Sequence, residues 1–406
     1  MFLLKLAFLN IGRNPRRSMI TVLAVGVGLA ALIFLWAFSD GTNEQMRENV
    51  IRLFTGHVQV HAKDFGKRLS PELTIPDRAA VLEKIRSLPG VVAVTERVKC
   101  EALVGTSENS RGILLMGIDP EKEAAATDLE NYVKKGEFLL PSTDRDILVG
   151  DLLAEKINLA VGDKVVVMTQ AMDGTLAGYS YRVRGLFHTG SQQVDELTAY
   201  ITLKSAQDLL GTGAETHEIV IRLDNRHLIP SFIARLGLGT GYEVLSWDQI
   251  VPEVEQWASW AEAIIRTILV AVMIVIGVSI MNTVLMSVYE RTREFGVMMA
   301  VGTAPSQVVR LILLETLVLE ALGILVGFAV GYLIVLYFGT VGIGFPELER
   351  AFSRSYMSTI TYTRLEPTHV LQSISTLVLM TTGISFYPAW KAGQMEPVKA
   401  IYHSYA

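Results

Sequence analysis

Four stretches of the chain are predominantly apolar and carry no charged residue: Ser18–Ser39, Thr267–Tyr289, Ala321–Pro346 and Val370–Trp390. Each supplies the ~20 residues that an α-helix needs to cross a bilayer. Between the first two lies a polar, mixed-charge stretch, Asp40 to Glu262, long enough for one or two folded domains. The pattern predicts a membrane protein: four transmembrane α-helices with a large α+β extracytoplasmic domain inserted between helices 1 and 2. The expected limits are 1–17 for an amphipathic helix on the cytoplasmic face, and 18–39, 263–289, 311–338 and 370–390 for the spans. Residues 40–262 form the exported domain, 290–310 an inner connecting segment, 339–369 an outer loop and 391–406 an inner tail.

Periodicity refines this picture. Phe2, Leu3, Leu6, Leu9 and Ile11 make an apolar stripe beside Lys5 and Arg13, as in a helix lying on a membrane surface. The alternative, a simple extension of the first span, is disfavoured by Pro15 and the neighbouring arginines. Beyond the first span, Met46, Val50, Leu53 and Phe54 keep helical spacing; before the second, Ile250, Val254, Trp257, Ala261 and Ile264 do the same. Both spans are therefore expected to continue outward as a stalk of packed helices, although Trp257 and Trp260 also suit interfacial anchors. The two ends of the exported domain carry a weak repeat. His57–Ala62, Arg78–Leu88 and Val91–Val98 read as strand, helix, strand, and so do Glu218–Leu223, Ile229–Leu236 and Tyr242–Trp247. The stretch between them, about 105–204, is β-rich, with strands at Val165–Val167, Tyr179–Leu186 and Tyr200–Ile201 and turns at Gly162-Asp163 and Asp173-Gly174. It reads as an inserted subdomain.

The formal net charge of −5 hides a segregation. Lys5, Arg13, Arg16 and Arg17 precede the first span with no acidic residue among them. Short basic flanks stay cytoplasmic, which puts both termini inside and Asp40–Glu262 outside; Lys391 and Lys399 agree. Read this way, the basic N-terminus is a topology signal and calls for no nucleic acid. The apolar run Met19–Phe38 exceeds the ~7–15 residues of a secretory h-region, so the first span is expected to be retained. Cys100 is the sole cysteine, so neither an intrachain disulfide nor a thiolate metal cluster can form, and its neighbours Val94, Val98, Ala102 and Val104 place it in a buried strand.

Catalytic motifs are missing from the sequence. There is no G-x-x-x-x-G-K-[ST] loop to cradle a triphosphate, no H-E-x-x-H and no nucleophile elbow. His57 and His61 would share a strand face, but no third ligand accompanies them; surface strand histidines and no metal are expected. The most informative segment joins the second and third spans, from Tyr289 to Gly302. Glu290, Arg291, Arg293 and Glu294 alternate in charge, and Glu290 and Arg293 stand at helical spacing where they can support one another. An apolar patch follows (Phe295, Val297, Met298, Met299, Val301), and Gly302 is placed to end the helix. A solvated connector would need no such patch, so the segment is expected to dock on a partner. In the third span Gly323, Gly327 and Gly331, four apart, suit close helix packing. Glu315 and Glu320 are costly facing lipid and are expected to face protein or the inner boundary.

Glu290-Arg291-Thr292-Arg293-Glu294-Phe295-Gly296 with its continuation to Gly302 resembles the coupling segment of the permease family that includes the macrolide exporter MacB, the division protein FtsX and the lipoprotein-releasing LolC and LolE. Pro388-Ala389-Trp390-Lys391-Ala392 with Glu396-Pro397-Val398-Lys399-Ala400-Ile401 resembles the family's closing motif, and Arg13-Asn14-Pro15-Arg16-Arg17 its opening. Gly117-Ile118-Asp119-Pro120, Val149-Gly150 with Leu152-Leu153-Ala154, Val161-Gly162-Asp163-Lys164-Val165 and Val194-Asp195 are similar to the LolC/LolE branch. The resemblance implies a permease subunit of an ABC transporter without catalytic residues or a cofactor of its own. ATP and Mg would be bound by two copies of a separate ATPase, and a second permease copy or paralogue would complete a dimer. Movement would pass through Glu290, Arg291, Arg293, Glu294, Phe295, Met298, Met299 and Gly302. The substrate implied is a lipoprotein or related lipid extracted from the outer leaflet. A hairpin with Asp173, Gly174, Leu176 and Tyr179 stands where that branch contacts a periplasmic carrier. A MacB-like efflux permease and an FtsX-like regulator of a cell-wall hydrolase are the alternatives.

Overall fold

Pro15 stands at the start of the first helix, where a missing N–H costs little, and no proline follows it for more than fifty residues. The result, in the computed structural model, is a 36-residue helix α1, Pro15–Val50, closed by a π-turn over Ile51–Thr55. The structure describes residues 15–107, 109–344 and 360–402; the amphipathic stripe of Met1–Asn14 and the outer-loop arginines Arg350 and Arg354 lie outside them. Contacts divide the chain into two units. One is helical, built from residues up to Asn43, from Trp257–Gly344 and from Ile360 onward; the other is Glu44–Gln256.

The helical unit contains the inner part of α1 together with most of the helix preceding the charged segment. Four helices among the described residues are long and apolar enough to cross a membrane, the first extending through the π-turn to Thr55 and the others being Pro252–Glu290, Pro305–Val341 and Pro367–Gly393. They exceed the expected spans because apolar spacing continues past both membrane limits: Met46 and Val50 on α1, and Val254 ahead of the second span, are all buried. Glycines set one helix contact. A Cβ on Gly327 would lie 2.6 Å from the backbone oxygen of Gly26, and one on Gly323 would lie 2.7 Å from Val25 Cβ. Only glycine permits that approach. Gly331 backs on Ala30 and Ile33 in the same row. The outer loop holds a two-strand ladder in which Ile343 pairs with Thr361 and Gly344 with Ile360.

The second unit is built on a ten-stranded sheet. In chain order its first elements are β1 (Val58–Ala62), α2 (Arg78–Ser87), β2 (Val91–Gly105) and β3 (Ser110–Ile118). Then come α3 (Pro120–Ala126), β4 (Val133–Gly136), β5 (Asp146–Gly150), α4 (Asp151–Lys156), β6 (Lys164–Gln170) and β7 (Leu176–Phe187). The series closes with α5 (Gln192–Leu197), β8 (Thr198–Thr202), α6 (Leu203–Leu210), β9 (Glu218–Leu223), α7 (Ile229–Leu236) and β10 (Tyr242–Ser246). The strand–helix–strand units at the two ends interleave in the order β10-β1-β9-β2, with every neighbouring pair antiparallel. This is a split βαβ arrangement, which needs both ends of the stretch to close. Its core joins Met46 and Val50 of α1 to Val58, Ile85, Ile219 and Phe232.

The β-rich middle begins inside a strand rather than near residue 105. β2 is 15 residues long: its first half pairs with β9 and its second with β3 and β6. One continuous strand thus serves both subdomains. Cys100 sits in it, buried, and burial pushes its thiol up to about 11. β1 is buried along its whole length because β9 and β10 flank it. His61 is accordingly a buried residue touching Gln59 and Glu218, and His57 accepts from the Leu223 N–H; neither is the free surface histidine expected from the sequence.

Candidate functional site

The second membrane helix, α9 (Trp257 onward in the helical unit; Pro252–Glu290 in full, after the short α8, Trp247–Ile250), ends at the charged segment. Arg291 leaves helical geometry at φ −108°, and a separate helix, α10, Thr292–Ala300, begins after it. This break separates Glu290 from Arg293. The expected pair does not form: Glu290 accepts from Arg17 at 3.0 Å, while Arg293 is exposed with no ion-pair partner among the described residues. Arg291 holds the corner. Its Nη1 donates to both oxygens of Glu315 at 3.0 and 2.9 Å, its Nε donates to Glu294 at 3.0 Å, and its guanidinium lies 5.0 Å from the Phe295 ring centre. Planar fork geometry suits arginine to this work.

α10 has two faces. Phe295, 1% exposed, belongs to the buried cluster of the membrane helices that includes Val288, Val308 and Leu311, and Met298 and Met299 pack half-buried against that cluster. These three are anchors, which corrects the reading of the whole apolar patch as a docking surface. The exposed face carries Arg293, Val297 and Val301, spaced by four and so stacked along one side of a helix. Val301 is 84% exposed. The helix ends in a Schellman motif: the Gly302 N–H donates to Met299 and the Thr303 N–H to Met298. Gly302 stands at φ +106°, a conformation that costs side-chain-bearing residues energy. Pro305 then opens α11, Pro305–Val341, and Gln307 accepts from the Ala304 N–H. A short terminal helix, Pro397–Tyr402, packs against α10. Glu320, midway along α11, is buried against Thr381 of the fourth membrane helix, α12 (Pro367–Gly393), and so faces protein.

The hairpin residues do not form one surface. Asp173 and Gly174 make the β6–β7 turn, where Asp173 accepts from Thr175 and Gln170 donates to the Gly174 oxygen. Leu176 is 71% exposed, whereas Tyr179 packs on the core side under Arg145, whose guanidinium carbon lies 3.6 Å from the ring centre. Residues three apart in a strand point to opposite faces, so the two cannot contact one partner surface together.

Sequence reasoning missed a buried ionic joint at the outer end of α1. Arg97 forks onto Glu123, with Nη2 and Nε at 2.5 and 3.2 Å from its oxygens, and its Nη1 donates to Glu218 at 3.0 Å and to the Phe54 carbonyl at 2.6 Å. Thr95 and Thr127 also donate to Glu123, and Lys99 to Glu218. The joint ties the π-turn ending the stalk helix to β2, β9 and α3.

The comparisons with known proteins agree with this architecture. Residues 18–237 match the MacB-like periplasmic core domain, more than half of the chain, and residues 266–397 match the FtsX-like permease C-terminal model. The macrolide export ATP-binding/permease protein MacB of Shewanella sp. (strain ANA-3) is 25% identical over 98% of this chain and 60% of its own length. The chain therefore spans about three fifths of the MacB relatives it matches. The lipoprotein-releasing system transmembrane protein LolC of Neisseria meningitidis serogroup B is 22% identical over 95% of this chain and 93% of its own. The periplasmic region of MacB from Actinobacillus actinomycetemcomitans aligns with 52% of this chain and 97% of that one, at 16% identity and a TM-score of 0.36. The chain belongs to the MacB-like periplasmic core domain family, and its C-terminal part matches the FtsX-like permease model.

Proposed function

We propose that this permease works with two copies of a separate ATPase, which bind ATP and Mg, to extract lipoproteins or related lipids from the outer leaflet of a bacterial inner membrane. The carrying observation is the two-faced α10. Its Arg293–Val297–Val301 stripe is open to a partner, while Phe295 and the Arg291–Glu315 pair lock its other face to the membrane helices. A push on the stripe moves α9 and α11 rather than bending a loose connector. Both termini are taken as cytoplasmic, and a second copy or paralogue completes the dimer.

The energetics of the cargo support a motor. Withdrawing an acyl chain from a bilayer costs about 0.8 kcal/mol per CH₂, so two or three chains amount to tens of kcal/mol. ATP hydrolysis and a sheltered acceptor, a periplasmic carrier, supply what spontaneous release lacks. Efflux in the manner of the MacB relatives is the second reading, favoured by their 25% identity against 22% for LolC.

Arg293→Glu combined with Val301→Asp should abolish co-purification with the ATPase while leaving membrane insertion intact, since both side chains are exposed. Undiminished recovery of the ATPase would remove the docking role. Reconstitution in proteoliposomes then separates the cargoes: ATP-dependent appearance of lipoprotein in the soluble fraction is expected, and macrolide movement without it would establish the second reading.

A further inference from the structure

A cluster far from the charged inner segment has the makings of a metal centre. β5 and β7 run parallel, and their register pairs Gly150 with Phe187. The next residue of each chain, Asp151 and His188, therefore leaves the same end of the sheet side by side. Gly150 has no side chain, and a Cβ there would fall 2.1 Å from the Asp195 backbone oxygen; its absence lets α5 close over the strand ends and bring Asp195 in. One ligand atom from each of Asp151, His188 and Asp195 lies within 4.8 Å of the others.

The three side chains do not satisfy one another. His188 Nδ1 lies 2.9 Å from Asp151 Oδ2 and 3.3 Å from Asp195 Oδ2, yet it makes no directed hydrogen bond, and Asp151 Oδ1 is buried and equally unpartnered. No lysine or arginine pairs with either carboxylate among the described residues; His188 is their only ionic neighbour there. Asp195 is fully buried, and its orientation is fixed from behind: Oδ1 accepts from the Thr189 N–H and hydroxyl and Oδ2 from the Gly190 N–H. Outer contacts of this kind hold a ligand carboxylate in place. Two carboxylates and a neutral imidazole carry two negative charges, which a divalent ion balances.

We propose that Asp151, His188 and Asp195 bind a divalent transition-metal ion of the Zn²⁺ class, with water completing the shell. Zn–N and Zn–O bonds of about 2.0–2.2 Å place neighbouring ligand atoms of a tetrahedral ion about 3.3 Å apart; the His188–Asp195 separation of 3.3 Å has that value, and the His188–Asp151 separation of 2.9 Å would open by a few tenths of an ångström on binding. Mixed imidazole and carboxylate ligands favour Zn²⁺ over the all-oxygen shells of Ca²⁺ and Mg²⁺. His188 and Asp151 are each about one-third exposed, which leaves an entry path. The bound ion fastens the β5–α4 corner to the β7–α5 loop in a domain whose single cysteine allows no disulfide.

The test uses tag-free, full-length protein in detergent, stripped with chelator and dialysed against Zn²⁺ alone. A single ion per chain is expected, with His188→Gln and Asp151→Asn each weakening binding about tenfold or more. His227→Gln, at an exposed histidine elsewhere, should leave it unchanged. Zn²⁺ should also raise the Tm of the parent protein and not that of the two site variants. Equal affinity in parent and site variants identifies an adventitious ion only and overturns the assignment. If a site variant fails to fold, Co²⁺ loading of the parent decides: tetrahedral d–d bands displaced by Zn²⁺ support the site, and their absence overturns it.

Discussion

Two arginines distinguish a part of the molecule sealed from water from a part half open to it. The Arg97 side chain is 2% exposed and both its carboxylate partners are fully buried. The Arg291 side chain is 17% exposed, and of its partners Glu315 is 12% and Glu294 43% exposed. Both guanidiniums grip two carboxylates, but water competes at only one. A network closed to water has no substitute for a lost partner, so it is whole or broken. A half-wet pair can exchange a carboxylate for solvent at small cost. The joint at the end of the stalk thus behaves as a weld, and the corner before α10 as a hinge pin.

Breaking the weld gives the largest expected effect. Arg97→Ala leaves Glu123 and Glu218 buried without their common cation, which typically costs about 3–5 kcal/mol. Cys100 offers a selective reporter, because it is the only thiol in the chain and lies buried in the same strand. Its alkylation under native conditions should accelerate by about two to four orders of magnitude, the factor to which that free energy corresponds. A change below about threefold would mean that the joint contributes nothing beyond ordinary packing.

The contrast was unevenly legible in the sequence. The four membrane helices follow from uncharged runs, and the outward reach of α1 follows from the 3.6-residue spacing of Met46, Val50 and Leu53, signals that local periodicity carries. The joint carries no such signal. Thr95-Glu96-Arg97-Val98-Lys99 alternates like a strand with one wet face, and only the arrival of Glu123 from α3 and Glu218 from β9 dries it. Asp151, His188 and Asp195 are hidden for the same reason, being assembled by strand register over 45 positions. At the charged segment the residues stood out but their pairing did not, since helical spacing cannot foresee the break at Arg291 that turns Glu290 toward Arg17. The family resemblance groups Leu176 and Tyr179 in one contact hairpin, where strand parity separates them.

Acid sharpens the comparison with a smaller effect. Burial alone would raise the Glu218 carboxyl, but Lys99, the contact with His61 and Arg97 outweigh it and hold it well below its ordinary value of 4.5. A depressed carboxylate stabilises the fold above its unfolded value and loses that contribution as pH falls through the folded one. Glu218→Gln still accepts hydrogen bonds, so at neutral pH it should cost about 1–3 kcal/mol. The gap in Tm between parent and variant should stay level down to about pH 5 and close below about 4.5. A gap that persists unchanged into that range would show that the charge on Glu218 is not what the site uses.

The smallest effect belongs to the wet side. Arg17 and Glu290 are 28% and 39% exposed and joined by a single contact of 3.0 Å. Removing one partner leaves the other in reach of water, so Arg17→Ala should change stability by under about 1 kcal/mol. It should therefore lower Tm only slightly and leave the Cys100 labelling rate where it is. Salt gives the complementary measurement, because an exposed pair is screened and a buried one is not. Raising ionic strength should erase the difference between Arg17→Ala and the parent while leaving the much larger deficit of Arg97→Ala intact. If the deficit of Arg97→Ala shrank with salt as well, water would have to reach Glu123 and Glu218, and the two arginines would differ only in degree.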